Sequence, residues 1–163
     1  MDLSLGYTSM LIDESHAQQL LRNQCAYVLA TSFWETAHTM RPVVEAYWLS
    51  EDWRQRNLRY YPWYGRGFVQ LTWQANYQRA ARELGVAFDQ DPNLALDPAN
   101  AAKIAVTGMR EGWFTGRKLS DFIDLQNSDF TDARRIINGM DRAQEIAVLA
   151  QNYDDDLKAE WVD

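Results

Sequence analysis

The sequence predicts one mainly α-helical domain over residues 1–163, with at most a short β-hairpin. Three observations carry this. Apolar residues recur at helical spacing in several long stretches, clearest from Ala17 to Phe33. No run alternates apolar and polar residues long enough to build a large sheet. The chain of 163 residues suits a single domain and can bury a core without disulfide staples.

Each element follows from local signals. Asp13, Glu14 and Ser15 read as a helix start, and Leu20, Leu21, Cys25, Val28, Leu29 and Phe33 share one face, so a helix is expected over about 16–38. Pro42 ends this region, because the residue before a proline resists helical angles. Residues 41–67 lack sustained periodicity and contain Pro42, Pro62, Gly65 and Gly67, which predicts a long loop with a short helix near 51–57. Phe68 to Leu71 reads as a short strand or extended segment. Thr72 is placed to cap a helix over 73–84, stopped by Gly85. Asp97-Pro98 combines an N-cap aspartate with proline at the first helical position, opening a helix to about 111. A turn follows at Gly112 to Gly116, then a short helix from Leu119 to Leu125. Ser128 to Asp132 opens a helix carrying Ala133, Ile136 and Ile137, broken at Gly139. Asp141 caps a last helix from Arg142 to about Leu157.

Composition excludes several functions. Net charge is −7, which argues against general nucleic-acid binding and against adhesion to anionic membranes. No apolar run approaches the ~20 residues a membrane span needs. The N-terminus MDLSLGYTSMLIDES has neither a basic leader nor a long apolar core, so synthesis and folding in a cytoplasm are expected. Cys25 is the sole cysteine, and its place on the apolar stripe reads as core.

The chemistry starts at Glu35. Leu21, Val28 and Glu35 lie seven apart on one helical stripe, so a glutamate extends an apolar face beside Phe33 and Trp34. A carboxyl in that setting is expected to keep its proton near neutral pH, as a general acid requires. Glu45 follows ten residues later, with Glu51 and Asp52 as competitors for a second acidic role. Two carboxylates across a groove are the minimal equipment for cutting a glycosidic bond. The densest aromatic run lies between Trp53 and Tyr77, and flat rings with polar edges suit stacking on sugar faces as well as core packing. Gln70, Thr72, Gln74 and Asn76 add neutral donors and acceptors.

Other sites find less support. Glu35-x-x-His38 has a di-iron spacing, but the second such pair is missing, because His16 is not in one. Asp154-Asp155-Asp156 lacks the glycine and glutamate of a calcium loop. No metal and no cofactor are expected. The arginines and aromatics of 53–66 could stack on RNA bases, against the overall charge.

The segments ATSFWETAHTM and YGRGFVQLTWQANY resemble the family-19 glycoside hydrolases, which include chitinases and phage and bacterial lysins. RRIING near the C-terminus, DPNLALDP and GWFTGRKL extend the resemblance over roughly 17–157. It implies a chitinase- and lysozyme-like helical domain with an inverting acid/base mechanism. Glu35 would be the general acid and Glu45 the base, and Thr72 would hold the attacking water. Gln70, Asn76 and Asn138 would bind acetamido sugars, with Tyr64 and Arg66 shaping the groove. Trp34 stands where the family usually has histidine, and the disulfides of plant chitinases cannot form. With no separate wall-binding module, the pattern lies nearest the phage-type endolysins. The resemblance thus implies a monomer cleaving β-1,4 linkages of peptidoglycan at the bacterial wall after release from the cytoplasm. A chitinase, or a non-catalytic wall-binding or virion protein of the same fold, are the alternatives.

Overall fold

In the computed structural model, residues 1–162 are described. Helices α1 (Thr8–Ala17) and α2 (Arg22–Glu35) come first, then strand β1 (Val43–Val44) and α3 (Glu51–Asn57). Strand β2 (Arg66–Gly67) precedes α4 (Gln74–Leu84), a 3-10 turn at Pro92–Leu96 and α5 (Pro98–Glu111). The chain closes with α6 (Leu119–Phe122), a second 3-10 turn at Asp132–Ile136 and α7 (Ala143–Leu157). β1 and β2 pair antiparallel, with Val43 opposite Gly67 and Val44 opposite Arg66. The molecule is therefore mainly α with one small two-stranded sheet. No helix among the described residues is long and apolar enough to cross a membrane.

α2 is the axis of the core. Residues 24–32 are all buried, and α2 packs most extensively against α7. Gln24 seals its start by accepting a hydrogen bond from the Leu21 amide at 3.0 Å. Around α2 lies the larger apolar cluster, including Tyr27, Leu29, Ala105, Ile146 and Tyr153. A smaller cluster gathers Leu71, Tyr77, Phe88, Ile104 and Trp113 about α4. Phe114 packs against both. Cys25 is fully buried, and that burial pushes its thiol up to about 12, leaving an inert core side chain.

Several boundaries differ from expectation. The helix expected over 16–38 is two helices. Asp13 to Ser15 lie inside α1, and the chain turns at Gln19, whose φ is +60°. Leu11, Leu20 and Cys25 all join the same core, so the apolar pattern runs across the break. Thr72 caps nothing. Its hydroxyl donates backward to the Gln70 carbonyl at 2.9 Å, and Trp73, with φ +77°, occupies the N-cap of α4. Phe68 to Leu71 is not a strand of the sheet, and only Leu71 makes a bridge, back to Arg66. α6 stops at Phe122, where Ile123 becomes extended, bridges Ser128 and buries its side chain in the larger core. The segment after Ser128 forms a 3-10 turn, and Arg142, not Asp141, caps α7. α3 and the Asp97-Pro98 start of α5 lie where the sequence puts them, the latter with Asp97 accepting from the Asn100 amide at 3.1 Å.

Candidate active site

A groove of about 540 Å³ opens where the two apolar clusters meet. Glu35, the last residue of α2, reaches it from one side. The segment carrying Val69, Gln70, Thr72, Trp73 and Asn76 forms the other side, joined by Tyr60. Phe114, Ile137 and Asn138 complete the lining. Glu35 is the sole carboxylate among these residues.

Glu35 is not surrounded by apolar side chains, as its helical stripe suggests. Arg134 Nη1 donates to Glu35 Oε1 at 3.2 Å. The Arg134 side chain is 4% exposed and that of Glu35 22%, so the pair sits at the inner edge of the groove. Arg134 Nε also donates to the Asp141 carbonyl at 2.8 Å, which ties the turn bearing Asn138 to the end of α2. One carboxylate oxygen is thus engaged by a cation. Nearby His38 lies flat on Phe33, at 4.4 Å between centroids and 5° between planes, and Trp34 tilts against it. Among the described residues, no cluster of His, Cys, Asp and Glu is arranged to hold a metal ion.

The opposite side is held in a costly backbone shape. Gln70 and Trp73 both have positive φ, +62° and +77°, a left-handed conformation that side chains resist. Gln70 Nε2 donates to the Val43 carbonyl at 3.1 Å, fastening the segment to β1. Gly65 leaves room for this carboxamide, since a Cβ there would lie 2.6 Å from Gln70 Oε1. Asn76 Nδ2 donates to the Thr72 carbonyl at 2.9 Å. Asn138 Oδ1 accepts from the Gly139 amide at 2.8 Å. Trp73 is 45% exposed, and its ring packs on Tyr60 at 4.7 Å between centroids.

Tyr64 and Arg66 lie beneath this surface. Both are buried, and neither lines the groove. Arg66 donates to Asn93 Oδ1, the Pro62 carbonyl, the Tyr64 carbonyl and Tyr77 Oη at 2.9–3.3 Å. Its guanidinium stacks over the Tyr64 ring at 3.8 Å. They shape the groove from below, by folding 62–77, and have no surface for direct contact with a ligand in it.

Glu45 also stands back from the groove. Its Oε2 accepts from Tyr60 Oη at 2.5 Å, and its Oε1 accepts from the Gly65 amide at 2.9 Å. Burial, then the hydrogen bond and charge of Glu45, push the Tyr60 phenol up to about 12. Arg54, itself buried, donates to the carbonyls of Glu45, Ala46 and Leu49 and so pins this loop. The competing acids are placed elsewhere. Glu51 accepts from Tyr64 and Arg54. Burial pulls its carboxyl up, but hydrogen bonds from Tyr61, Tyr64 and Arg54 outweigh that and hold it below the usual range. Asp52 pairs with Arg56 on the exposed face of α3.

Of the residues named from the sequence, Glu35, Gln70, Thr72, Asn76 and Asn138 line one groove, and Glu45 touches it through Tyr60. Tyr60 and Trp73 come from the aromatic run that the sequence offers for stacking on sugars, whereas Arg134, Phe114 and Ile137 are participants to which the sequence gave no part in the site. Arg134 begins the RRIING motif, the one signal that could have marked it.

No protein-family model matches the chain, and no curated protein matches it. Among solved structures, chitinase C from Streptomyces griseus HUT6037 aligns with a TM-score of 0.64 at 21% identity. That alignment covers 81% of this chain and 58% of that one, so this chain spans well under two thirds of the chitinase's length. A chitinase C mutant aligns with a TM-score of 0.44 at 18% identity, over 80% of this chain and 73% of that one. The first likeness gives the chain a chitinase-like fold.

Proposed function

We propose that the protein is a glycoside hydrolase acting on β-1,4-linked chains of N-acetylated sugars by an inverting acid/base mechanism. The observation that carries the reading is Glu35 as the one carboxylate lining a groove whose other walls are neutral: three carboxamides, three aromatic rings, the Thr72 hydroxyl and two aliphatic side chains. Such walls suit an uncharged acetamido sugar: Gln70, Asn76 and Asn138 offer hydrogen bonds, and Trp73 offers a flat apolar face. Arg134 holds Oε1 of Glu35, leaving Oε2 to carry the transferable proton toward the glycosidic oxygen. Glu45 serves as the base, the final acceptor of the proton lost by the water that attacks on the opposite face of the sugar. Thr72 already donates its hydroxyl proton to the Gln70 carbonyl, so toward that water it acts as an acceptor that orients it. The chain acts as one catalytic unit, as a monomer, and needs no cofactor.

Chitin-type chains are the substrate best matched, since the similar solved structure is a chitinase. A second reading is a phage-type endolysin on peptidoglycan, made in the cytoplasm and acting at the wall after release. The observation favouring it is the single buried Cys25, which makes folding independent of an oxidising compartment. Mass spectrometry of products from chitin oligomers and from purified peptidoglycan separates the two. NMR of the first-formed anomer tests inversion. Absence of turnover on both polymers by folded protein would leave a non-catalytic binding protein of this fold.

A further inference from the structure

We propose that Tyr60 is a catalytic residue, relaying the proton of the attacking water through its phenol to Glu45. This rests on reading the groove as a glycosidase site. It answers a geometric problem in that reading, because Glu45 does not line the groove and Tyr60 does.

Glu45 is tethered on both sides. Each carboxylate oxygen already accepts a hydrogen bond, one from Tyr60 Oη and one from the Gly65 amide. Its own amide donates to the Gly65 carbonyl at 2.7 Å, and Arg54 grips its carbonyl at 3.3 Å. Turning the carboxylate into the groove would break two hydrogen bonds to a charged acceptor, the stronger class. Tyr60 spans the gap instead. Its ring faces the groove and packs on Trp73, while its hydroxyl rests on Glu45 Oε2. A phenol has one proton to give and lone pairs to receive another. Its pKa, raised to about 12, keeps that proton in place at working pH.

In the step itself, the water oxygen bonds to the anomeric carbon as one water O–H bond breaks, and that proton passes to Tyr60 Oη. The original Tyr60 proton passes along the existing hydrogen bond to Glu45 Oε2. On the other face the bond from the anomeric carbon to the leaving oxygen breaks. Its electron pair stays with that oxygen, which takes the proton of Glu35. The products are an inverted hemiacetal, a free alcohol, ionised Glu35 and protonated Glu45. Tyr60 ends as it began, and solvent resets the two acids.

The test uses the full chain with chitin hexaose and with soluble peptidoglycan strands, comparing Tyr60→Phe, Glu45→Gln and the double variant. Tyr60→Phe keeps the ring against Trp73, and thermal unfolding verifies its fold. The relay predicts a kcat lower by about 10²–10⁴-fold with KM within about threefold. The double variant should be no slower than the slower single one, because groups acting in one chain are not additive. A fluorotyrosine at position 60, whose phenol is more acidic, should shift kcat and the pH–rate profile without shifting KM. Near-normal kcat in Tyr60→Phe, or losses that multiply in the double variant, would show that Glu45 acts directly and overturn the relay. A folded wild type that turns over neither substrate overturns the glycosidase reading and the relay together. An active wild type with an active Tyr60→Phe overturns only the relay.

Discussion

Glu35 is held in place by one buried cation, and substitutions at the two partners separate proton transfer from that structural pairing. Glu35→Gln keeps the shape and can still accept from Arg134, but has no proton to transfer. We expect folding to be retained and turnover to fall by about 10²–10⁴-fold. Near-normal activity would remove Glu35 as the acid. Arg134→Met should instead cost stability, about 2–3 kcal/mol in urea unfolding, because the Glu35 carboxylate and the Asp141 carbonyl both lose a charged donor. Thr72 permits a cleaner experiment than the sequence suggested. Since it caps nothing, Thr72→Val removes a hydroxyl without weakening the start of α4. Slower turnover with a stability change of only about 1 kcal/mol is expected, and unchanged turnover would relieve Thr72 of any part in holding water. Motif residues were the legible part of the site: five of the eight named from the sequence line the groove. Arg134 was not legible, because its partner is 99 residues away and arginine pairs cannot be read from spacing. Tyr60 was hidden among neighbouring aromatics, and Tyr64 and Arg66 face inward because four acceptors surround the guanidinium.

Secondary structure was readable wherever a local signal forces it. Asp97-Pro98 starts α5 because the aspartate reaches the Asn100 amide and proline needs no donor there. Gly85 and Gly112 end α4 and α5 in left-handed conformations that glycine adopts without strain. The α1–α2 break had no such signal, since Gln19 is not a turn residue and the apolar stripe continues past it. Packing, rather than local propensity, decides that break. Packing also decides a mutation inside α5. Alanine is about 1 kcal/mol better than glycine in a helix interior, so Gly108→Ala would be stabilising by propensity alone. A Cβ at Gly108 would lie 2.6 Å and 2.7 Å from the Phe114 ring and 3.3 Å from Trp113. Phe114 is wedged between both apolar clusters and lines the groove, so the ring must shift into the site. Gly108→Ala should therefore destabilise by about 1–3 kcal/mol and raise KM. A variant more stable than wild type would mean that Phe114 has space to retreat.

At the scale of the molecule, the class was legible because helical periodicity dominates and sheet alternation is missing, and the one small sheet joins segments too short to show a pattern. The division into two clusters was not legible, since it depends on which helices meet. That division buries tyrosines on both sides of the groove, and it sets how the fold should fail in alkali. Burial, ahead of all other causes, pushes Tyr77 in the smaller cluster up to about 12 and drives Tyr27 and Tyr153 in the larger one up as well. Each keeps its proton longer folded than unfolded, where tyrosine titrates near ~10. The sign follows: above ~10 the unfolded chain has released protons that the folded chain still holds, so stability falls as pH rises. The contribution is whole below ~10 and is lost as pH climbs through the folded values, about 12 at Tyr77. An alkaline titration followed by tyrosinate absorbance should therefore show an early phase from exposed rings. A later, steeper phase should coincide with loss of helical circular dichroism, because the buried rings ionise only when the clusters open. If tyrosinate absorbance instead rises in one shallow phase near ~10 while the helices persist, Tyr27, Tyr77 and Tyr153 are reached by solvent in the folded state, against their burial in the two clusters.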